Sequence, residues 1–223
     1  MTPVLSVREL YRFYHSAGEE TVALRGAGLH VEAGEMVALM GPSGSGKSTL
    51  LACIAGLDEP DGGVVEIGGE RMSRRPERDR AKLRARSVGM LMQSGNLLEH
   101  LTVSANMQVQ RQLAGRGNSD GVDALLQTLG LSQRSNAYPS TLSGGEASRA
   151  GLAVALSAAP PLLICDEPTA EVDRETEKAI VQLLQNQARS GVAVLVATHS
   201  EALAAAADRI VRLDNGKVIT NVA

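Results

Sequence analysis

Short apolar runs, broken by turn residues, set the layout of this chain. Residues 4–11 roughly alternate apolar with polar and predict a strand; Arg12, Phe13, Tyr14 and His15 follow, then a polar turn over 16–20. Residues 22–32 predict a second strand on Leu24, Leu29 and Val31, and Ala33, Gly34 and Glu35 turn the chain. The uninterrupted apolar run Met36–Met40 reads as a buried strand, and residues 50–55 read as a helix. Residues 56–63 are dense in turn formers, 64–67 form a short strand, and Gly68 with Gly69 closes a hairpin. These flanking strands predict an antiparallel sheet beside the 36–40 strand. Residues 71–86 predict an Arg-rich, solvated helix, and 88–92 a further buried strand ending at Gln93.

From 95 to 159 the apolar spacing becomes helical, over 103–113, 122–129 and 146–157, with a polar joint at 114–120. This predicts a helical insertion between two core strands. Residues 162–165 then form a strand ending in Asp166 and Glu167, 175–188 a helix, and 192–197 a strand ending at Thr198 and His199. Residues 201–207 are helical, and strands at 210–213 and 217–220 flank the hairpin signal Asp214, Asn215, Gly216. Strands alternating with helices predict an α/β fold with a largely parallel core sheet, an antiparallel β part and a helical part, all in one domain over 1–223.

Composition narrows the class. With one Phe, three Tyr and no Trp, the core must be built of Leu, Val, Ile, Ala and Met. A net charge of −3 gives no general bias toward nucleic acid or an anionic membrane. The Arg run at 71–86 lacks interleaved aromatics, so it reads as a solvated face rather than a nucleic-acid patch. No apolar run approaches the roughly 20 residues that cross a bilayer, and the first residues lack the apolar segment of a signal peptide. Cys53 and Cys165 sit in apolar runs, as small buried hydrophobes of a reducing compartment do.

The candidate chemistry begins at Gly41, Pro42, Ser43, Gly44, Ser45, Gly46, Lys47, Ser48 and Thr49, which fit the phosphate-binding P-loop spacing G-x-x-x-x-G-K-[ST]. A plain Gly/Ser turn would share the composition but not the strand before it and the helix after it. Glycines let the backbone approach a phosphate, and the N–H groups at the helix start point at the anion with the helix dipole behind them. Lys47 can reach the β- and γ-phosphates, and the Ser48 hydroxyl can ligand Mg²⁺. Asp166 and Glu167 end a strand, where the first can hold Mg²⁺ and the second polarise a water; two solvated acids in a turn would look the same. Leu142, Ser143, Gly144, Gly145 and Glu146 open a helix, either as a second anion cradle or as a cap with Ser143 at the N-cap.

Taken together and in this order, these residues resemble the ATP-binding cassette (ABC) ATPases over nearly the whole chain. The resemblance makes Gly41 to Thr49 the Walker A segment, Gln93 the Q-loop residue, and Leu142 to Glu146 the signature. Residues 162–166 become Walker B, Glu167 the catalytic acid, 170–173 the D-loop with Asp173, and His199 the switch histidine. Tyr14 matches the aromatic that stacks on adenine. The loop after Tyr14, residues 93–98 and Leu101, Thr102, Val103 are similar to the lipoprotein-release (LolD-like), macrolide-export (MacB-like) and cell-division (FtsE-like) subgroup. The chain departs from the pattern with Glu146 for the commoner Gln, Val154 for a second arginine, and Glu171 for a small D-loop residue.

The resemblance implies ATP and Mg²⁺ as ligands, with Ser48, Gln93 and Asp166 around the metal. It implies a head-to-tail homodimer around two ATP, each site taking Ser143, Gly144 and Gly145 from the opposite copy. It implies a separate transmembrane permease of the FtsX/MacB type touched by Leu97, Leu98 and Leu101, or plain core packing of these leucines. No nucleic-acid partner is expected. The ATPase would then work at the inner face of the cell membrane, in export or lipoprotein or peptide extrusion. The alternative is mechanical signalling through a membrane protein that moves no substrate. A soluble ATPase acting on DNA or ribosomes fits worse, because the chain has one cassette and no long coiled coil.

Overall fold

The computed structural model describes residues 2–16, 19–117, 121–170 and 172–222. In chain order the first elements are β1 (Leu5–Ser16), β2 (Glu19–Val31), β3 (Met36–Met40), α1 (Lys47–Ile54), β4 (Gly62–Ile67), β5 (Glu70–Arg71), α2 (Glu77–Ser87) and β6 (Val88–Leu91). Then come α3 (Val103–Leu113), α4 (Val122–Thr128), α5 (Gly144–Ser157), β7 (Leu162–Asp166), α6 (Arg174–Arg189), β8 (Ala193–Ala197), α7 (Glu201–Ala205), β9 (Arg209–Asp214) and β10 (Lys217–Val222). Among the described residues the strands form an antiparallel sheet in the order β2-β1-β4-β5 and a six-stranded sheet in the order β10-β9-β3-β8-β7-β6. In the larger sheet β3, β6, β7, β8 and β9 run parallel, and β10 returns antiparallel to β9.

β3, β7 and β8 are the continuous apolar runs because both faces of the central sheet are covered. Strand alternation divides their side chains between two cores. Val37, Leu39, Leu162, Ile164 and Leu195 pack with Leu50 and Ile54 of α1 and with Leu5, Leu10 and Leu24 of the antiparallel sheet. Met36, Leu163, Cys165, Val194 and Val196 pack with Met107 of α3, Leu126 of α4, Leu152 of α5 and Leu184 of α6. The antiparallel sheet therefore lies on the face that carries α1, and the helices of 103–157 on the other.

β1 differs from the expectation. It continues through Arg12 to Ser16, pairing Tyr14 with Thr21 and His15 with Glu20. Register shifts interrupt the pairing between Val7 and Leu10, Leu10 and Tyr11, and Arg12 and Phe13, and Glu9 has φ 48°. Bulges break the period-2 pattern without ending the strand, so the polar stretch does not stop it. Ser16, Glu19 and Glu20 belong to the strands; Ala17 and Gly18 of the expected turn, and residues 118–120 of the 114–120 joint, lie outside the described residues.

The Arg-rich segment is helical only in part: Arg71 pairs in β5, and α2 begins at Glu77 after Pro76 at its N-cap. The missing N–H and fixed φ of proline let a helix start there but not run through. Several of the segment's arginines pair with carboxylates. Arg80 pairs with Glu59 and with Glu77 at 2.8 Å, and Arg86 pairs with Glu70. Arg84 pairs with Glu77 at 2.9 Å and donates to the Gly56 carbonyl at 3.0 Å, just past the end of α1. Among the described residues no helix is long and apolar enough to cross a membrane.

Candidate functional site

The C-terminal ends of β3, β7 and β8 converge, as parallel α/β sheets arrange their ligand crevices. β3 runs into the 41–46 loop, which closes with Ser45 N–H donating to the Pro42 carbonyl at 3.2 Å and hands over to α1 at Lys47. Gly46 sits at φ 104°, a conformation L side chains rarely adopt, and an ideal Cβ there would lie 2.5 Å from the Ala23 carbonyl oxygen. A Cβ on Gly41 would lie 2.1 Å from the Leu213 carbonyl oxygen and 2.7 Å from Ser45 Oγ. Gly41→Ala is therefore expected to force the loop off β9. It should cost about 1–3 kcal/mol by overpacking and weaken nucleotide binding, as thermal melting and nucleotide titration would read.

Lys47 is buried at the helix start. Its ammonium donates to the Gly41 and Pro42 carbonyls at 2.7 and 3.2 Å and lies 3.2 Å from His199 Nε2. Asp166 is buried at the end of β7. Glu167 follows with φ 50°, a strained backbone for a non-glycine residue of the kind that collects at functional sites. Its N–H donates to the Ala197 carbonyl at 2.9 Å, which ties it to the end of β8. Its Oε2 accepts the His199 N–H at 3.2 Å, while the buried Oε1 lies 3.4 Å from His199 Nε2 and makes no hydrogen bond. Lys47, His199 and Glu167 thus form a row across the strand ends. They line one cleft of about 610 Å³ with Ser43, Gly44, Gly46, Ser48, Thr49, Gln93 and Asp166. Chemically, the row places an ammonium, an imidazole and a carboxylate around one space.

Thr21, Val22 and Ala23 of β2 complete the cleft wall, and no local motif marks them. Tyr14 does not line the cleft itself. It stands on β1 opposite Thr21, half-exposed, so it borders the same opening.

The signature residues sit elsewhere. Ser143 is the N-cap of α5; its Oγ accepts the Glu146 N–H at 3.3 Å, and Glu146 Oε2 accepts the Ser143 N–H at 2.9 Å. This reciprocal capping box needs Glu or Gln at its third helical position, so Glu146 serves the helix as well as the commoner Gln. Glu146 Oε1 accepts from Arg134 Nε at 2.8 Å, and the Ser143 N–H with Arg134 holds the carboxyl below its ordinary range. Leu142 packs against the helical core, as does the departure Val154. None of residues 142–146 lines the P-loop cleft; Gly144 borders a neighbouring groove that also reaches Gln93 and Glu167. Asp173 caps α6, accepting the Glu175 and Thr176 N–H groups at 2.9 Å, and those bonds, the Thr176 N–H above all, hold it below its ordinary range. Glu171 lies outside the described residues.

Both cysteines are buried; burial pushes the Cys53 thiol up to about 12 and raises Cys165 as well, so neither is a poised nucleophile. No group of three or more His, Cys, Asp or Glu with metal-site geometry occurs among the described residues. The metal set expected here, Ser48, Gln93 and Asp166, contains one carboxylate and is of a different kind.

A protein-family model described as ABC transporter matches residues 24–170. The ATP-binding protein LolD 2 of the lipoprotein-releasing system of Caulobacter vibrioides is 40% identical over 218 residues, 96% of each chain. The uncharacterised ABC transporter ATP-binding protein YbbA of Escherichia coli K12 is 40% identical over 97% of this chain and 98% of its own. The macrolide export ATP-binding/permease protein MacB of Shigella flexneri is 34% identical over 99% of this chain but 35% of its own. Among solved structures, the dimeric bacterial ABC transporter cassette MJ0796 superposes with a TM-score of 0.91 at 32% identity over 97% of both chains. The same cassette in a post-hydrolysis dimer bound to ADP and Pi gives 0.90.

Proposed function

Because the chain belongs to the ABC transporter family as an ATP-hydrolysing, ATP-binding subunit, we propose that it powers a separate membrane permease by closing as a head-to-tail homodimer around two ATP molecules. One observation carries this reading. Lys47, Asp166, Glu167 and His199 converge on the P-loop cleft, while the Ser143 helix start lines none of it, which supports a role toward a second copy.

The residues present suit the ligands. Gly44, at φ 78°, has no heavy atom within 4 Å of where its Cβ would be, so the loop opens toward a phosphate. The oxygens of Ser48, Gln93 and Asp166 form a hard-cation set suited to Mg²⁺. Mg²⁺ held there would neutralise charge on the β- and γ-phosphate oxygens. Of the chain's own groups, the loop N–H groups and Lys47 bind the phosphates, and Tyr14 stacks on the base. Glu167 polarises the attacking water with its carboxylate. His199, held by Glu167 through its backbone N–H, faces the γ-phosphate position. Ser143, Gly144 and Gly145 of the opposite copy close the site from above. Asp173 belongs to the same dimer surface. The helical part over 95–159 moves with Gln93, which stands where β6 leaves the core.

The relatives support a membrane partner encoded apart from this chain. LolD 2, matched end to end, is named as the ATP-binding protein of a lipoprotein-releasing system, and MacB joins ATP-binding and permease parts in a chain of which this one matches about a third. Leu98 is 47% exposed and fits a docking contact, whereas Leu97 packs against the helical core. The pairing of Arg80, Arg84 and Arg86 with Glu59, Glu77 and Glu70 argues against nucleic acid. The site of action would be the inner face of the membrane, and the task export or lipoprotein or peptide extrusion. Co-expression with the candidate membrane protein should yield a complex whose ATPase rate exceeds that of the chain alone, and Leu98→Asp should reduce both. Full ATPase turnover by a strictly monomeric chain would overturn the shared-site reading.

A further inference from the structure

Tyr14 is a half-exposed side chain near the end of a bulged strand, yet its ring is fixed from several directions. Its hydroxyl donates to Asp58 Oδ2 at 2.6 Å. The Arg12 guanidinium lies over one ring face, 4.6 Å from the centroid. Arg12 is itself locked, with Nε donating to Asp58 Oδ2 at 2.9 Å, Nη2 2.8 Å from Asp58 Oδ1, and Nη1 donating to Asp61 Oδ2 at 3.2 Å. Asp61 Oδ2 also accepts the Phe13 N–H at 2.8 Å, which pins the strand between the two side chains. Asp58 and Asp61 come from the turn that follows α1, the helix whose other end carries Lys47.

We propose that Asp58 and Arg12 are positioning residues for the base of the nucleotide: they hold the Tyr14 ring at a fixed angle and leave only its face away from Arg12 for a purine to stack on. The inference rests on Tyr14 being the base platform. Three physical points support it. A phenol has two equivalent faces, and a guanidinium on one leaves a single stacking site on the other. An aromatic side chain already immobilised does not pay its ordering entropy when ligand binds. The anchor also has a stable protonation state. Burial and the Asp58 carboxylate raise the Tyr14 hydroxyl above its ordinary range, and although burial alone would raise Asp58, the Tyr14 hydroxyl and Arg12 hold it low. Near neutral pH the pair is thus phenol donor and carboxylate acceptor. Because Asp58 follows α1 directly, one segment sets both the phosphate cradle and the distance from it to the base platform.

The test compares ATP with inorganic tripolyphosphate, which carries phosphates without a base, by calorimetric titration of the full chain. Tyr14→Ala should weaken ATP by roughly 5- to 150-fold and leave tripolyphosphate unchanged. Asp58→Ala should weaken ATP by about 2- to 12-fold, spare tripolyphosphate, and add nothing in a Tyr14→Ala background. Tyr14→Phe keeps the ring, removes only the hydroxyl and leaves the Arg12–Asp58 pair in place, so it should fall between wild type and Tyr14→Ala. Tripolyphosphate weakening in step with ATP in Asp58→Ala, or additive losses in the double variant, would mean that Asp58 acts through α1 and would overturn the proposal. Wild-type ATP affinity in both Asp58→Ala and Tyr14→Phe, beside a weakened Tyr14→Ala, would overturn the positioning role while the platform stands. An unchanged Tyr14→Ala would remove the platform and this inference together.

Discussion

Glu167→Gln is expected to bind Mg²⁺-ATP with near wild-type affinity, to hydrolyse it about 10²–10⁴-fold more slowly, and to accumulate as an ATP-bound homodimer. Binding is expected to survive because the proposed phosphate ligands are the 41–46 loop and Lys47, with Ser48, Gln93 and Asp166 proposed to hold Mg²⁺, and Glu167 makes no hydrogen bond to the loop or to Lys47. The amide keeps an oxygen for the His199 N–H that Oε2 now accepts at 3.2 Å, so the histidine stays placed. Turnover fails because the carboxylate proposed to take the water's proton is replaced by an amide, which cannot take it. Removing a negative charge beside the γ-phosphate position also favours the closed dimer. Light scattering with ATP and with ADP, beside a single-turnover assay, reads all three effects. A variant that binds ATP yet stays monomeric at saturation, or one with wild-type turnover, would show that Glu167 is not the polarising acid.

The places of the candidate site residues in the fold were largely legible in the sequence because each ends or begins an element with a strong local signal. β3 is uniformly apolar because it is buried on both faces, and the glycines after it mark the point where strand becomes helix. The α3 span matches its periodicity residue for residue, with Thr102 accepting the Ala105 N–H at its start. Asp166, Glu167 and His199 stand where apolar runs stop, so their meeting follows once β7 and β8 are neighbours. Two kinds of information were hidden. Bulges in β1 erased its alternation and hid the strand that carries Tyr14. Asp58 lies 44 residues from Tyr14 in a turn whose composition looks ordinary, so only the tertiary pairing of β1 with the segment after α1 brings them together. The same limit applies to Arg134, which pairs with Glu146 at 2.8 Å and which no local pattern marks.

Ser143→Arg is expected to leave ATP binding by the isolated chain nearly intact while abolishing turnover. The P-loop cleft contains no signature residue, so a long cation at the α5 N-cap does not enter the chain's own phosphate site. In the proposed dimer it would instead occupy the space of the opposite copy's nucleotide, and it would remove the cap bond to the Glu146 N–H, a loss of about 1 kcal/mol to the helix. Lys47→Ala should show the reverse pattern, losing most ATP binding because the ammonium at the loop is gone while its own signature stays whole. Mixing the two inactive variants makes the decisive case. In a mixed dimer one site joins a missing Lys47 to an altered Ser143, and the other joins an intact P-loop to an intact signature. ATPase activity should therefore return in part on mixing, in proportion to the fraction of mixed dimers. Loss of ATP binding by Ser143→Arg alone, measured on the monomer, would place Ser143 within its own site and defeat the shared-site reading. No recovery on mixing, with mixed dimers demonstrated directly, would mean that both sites must fire together.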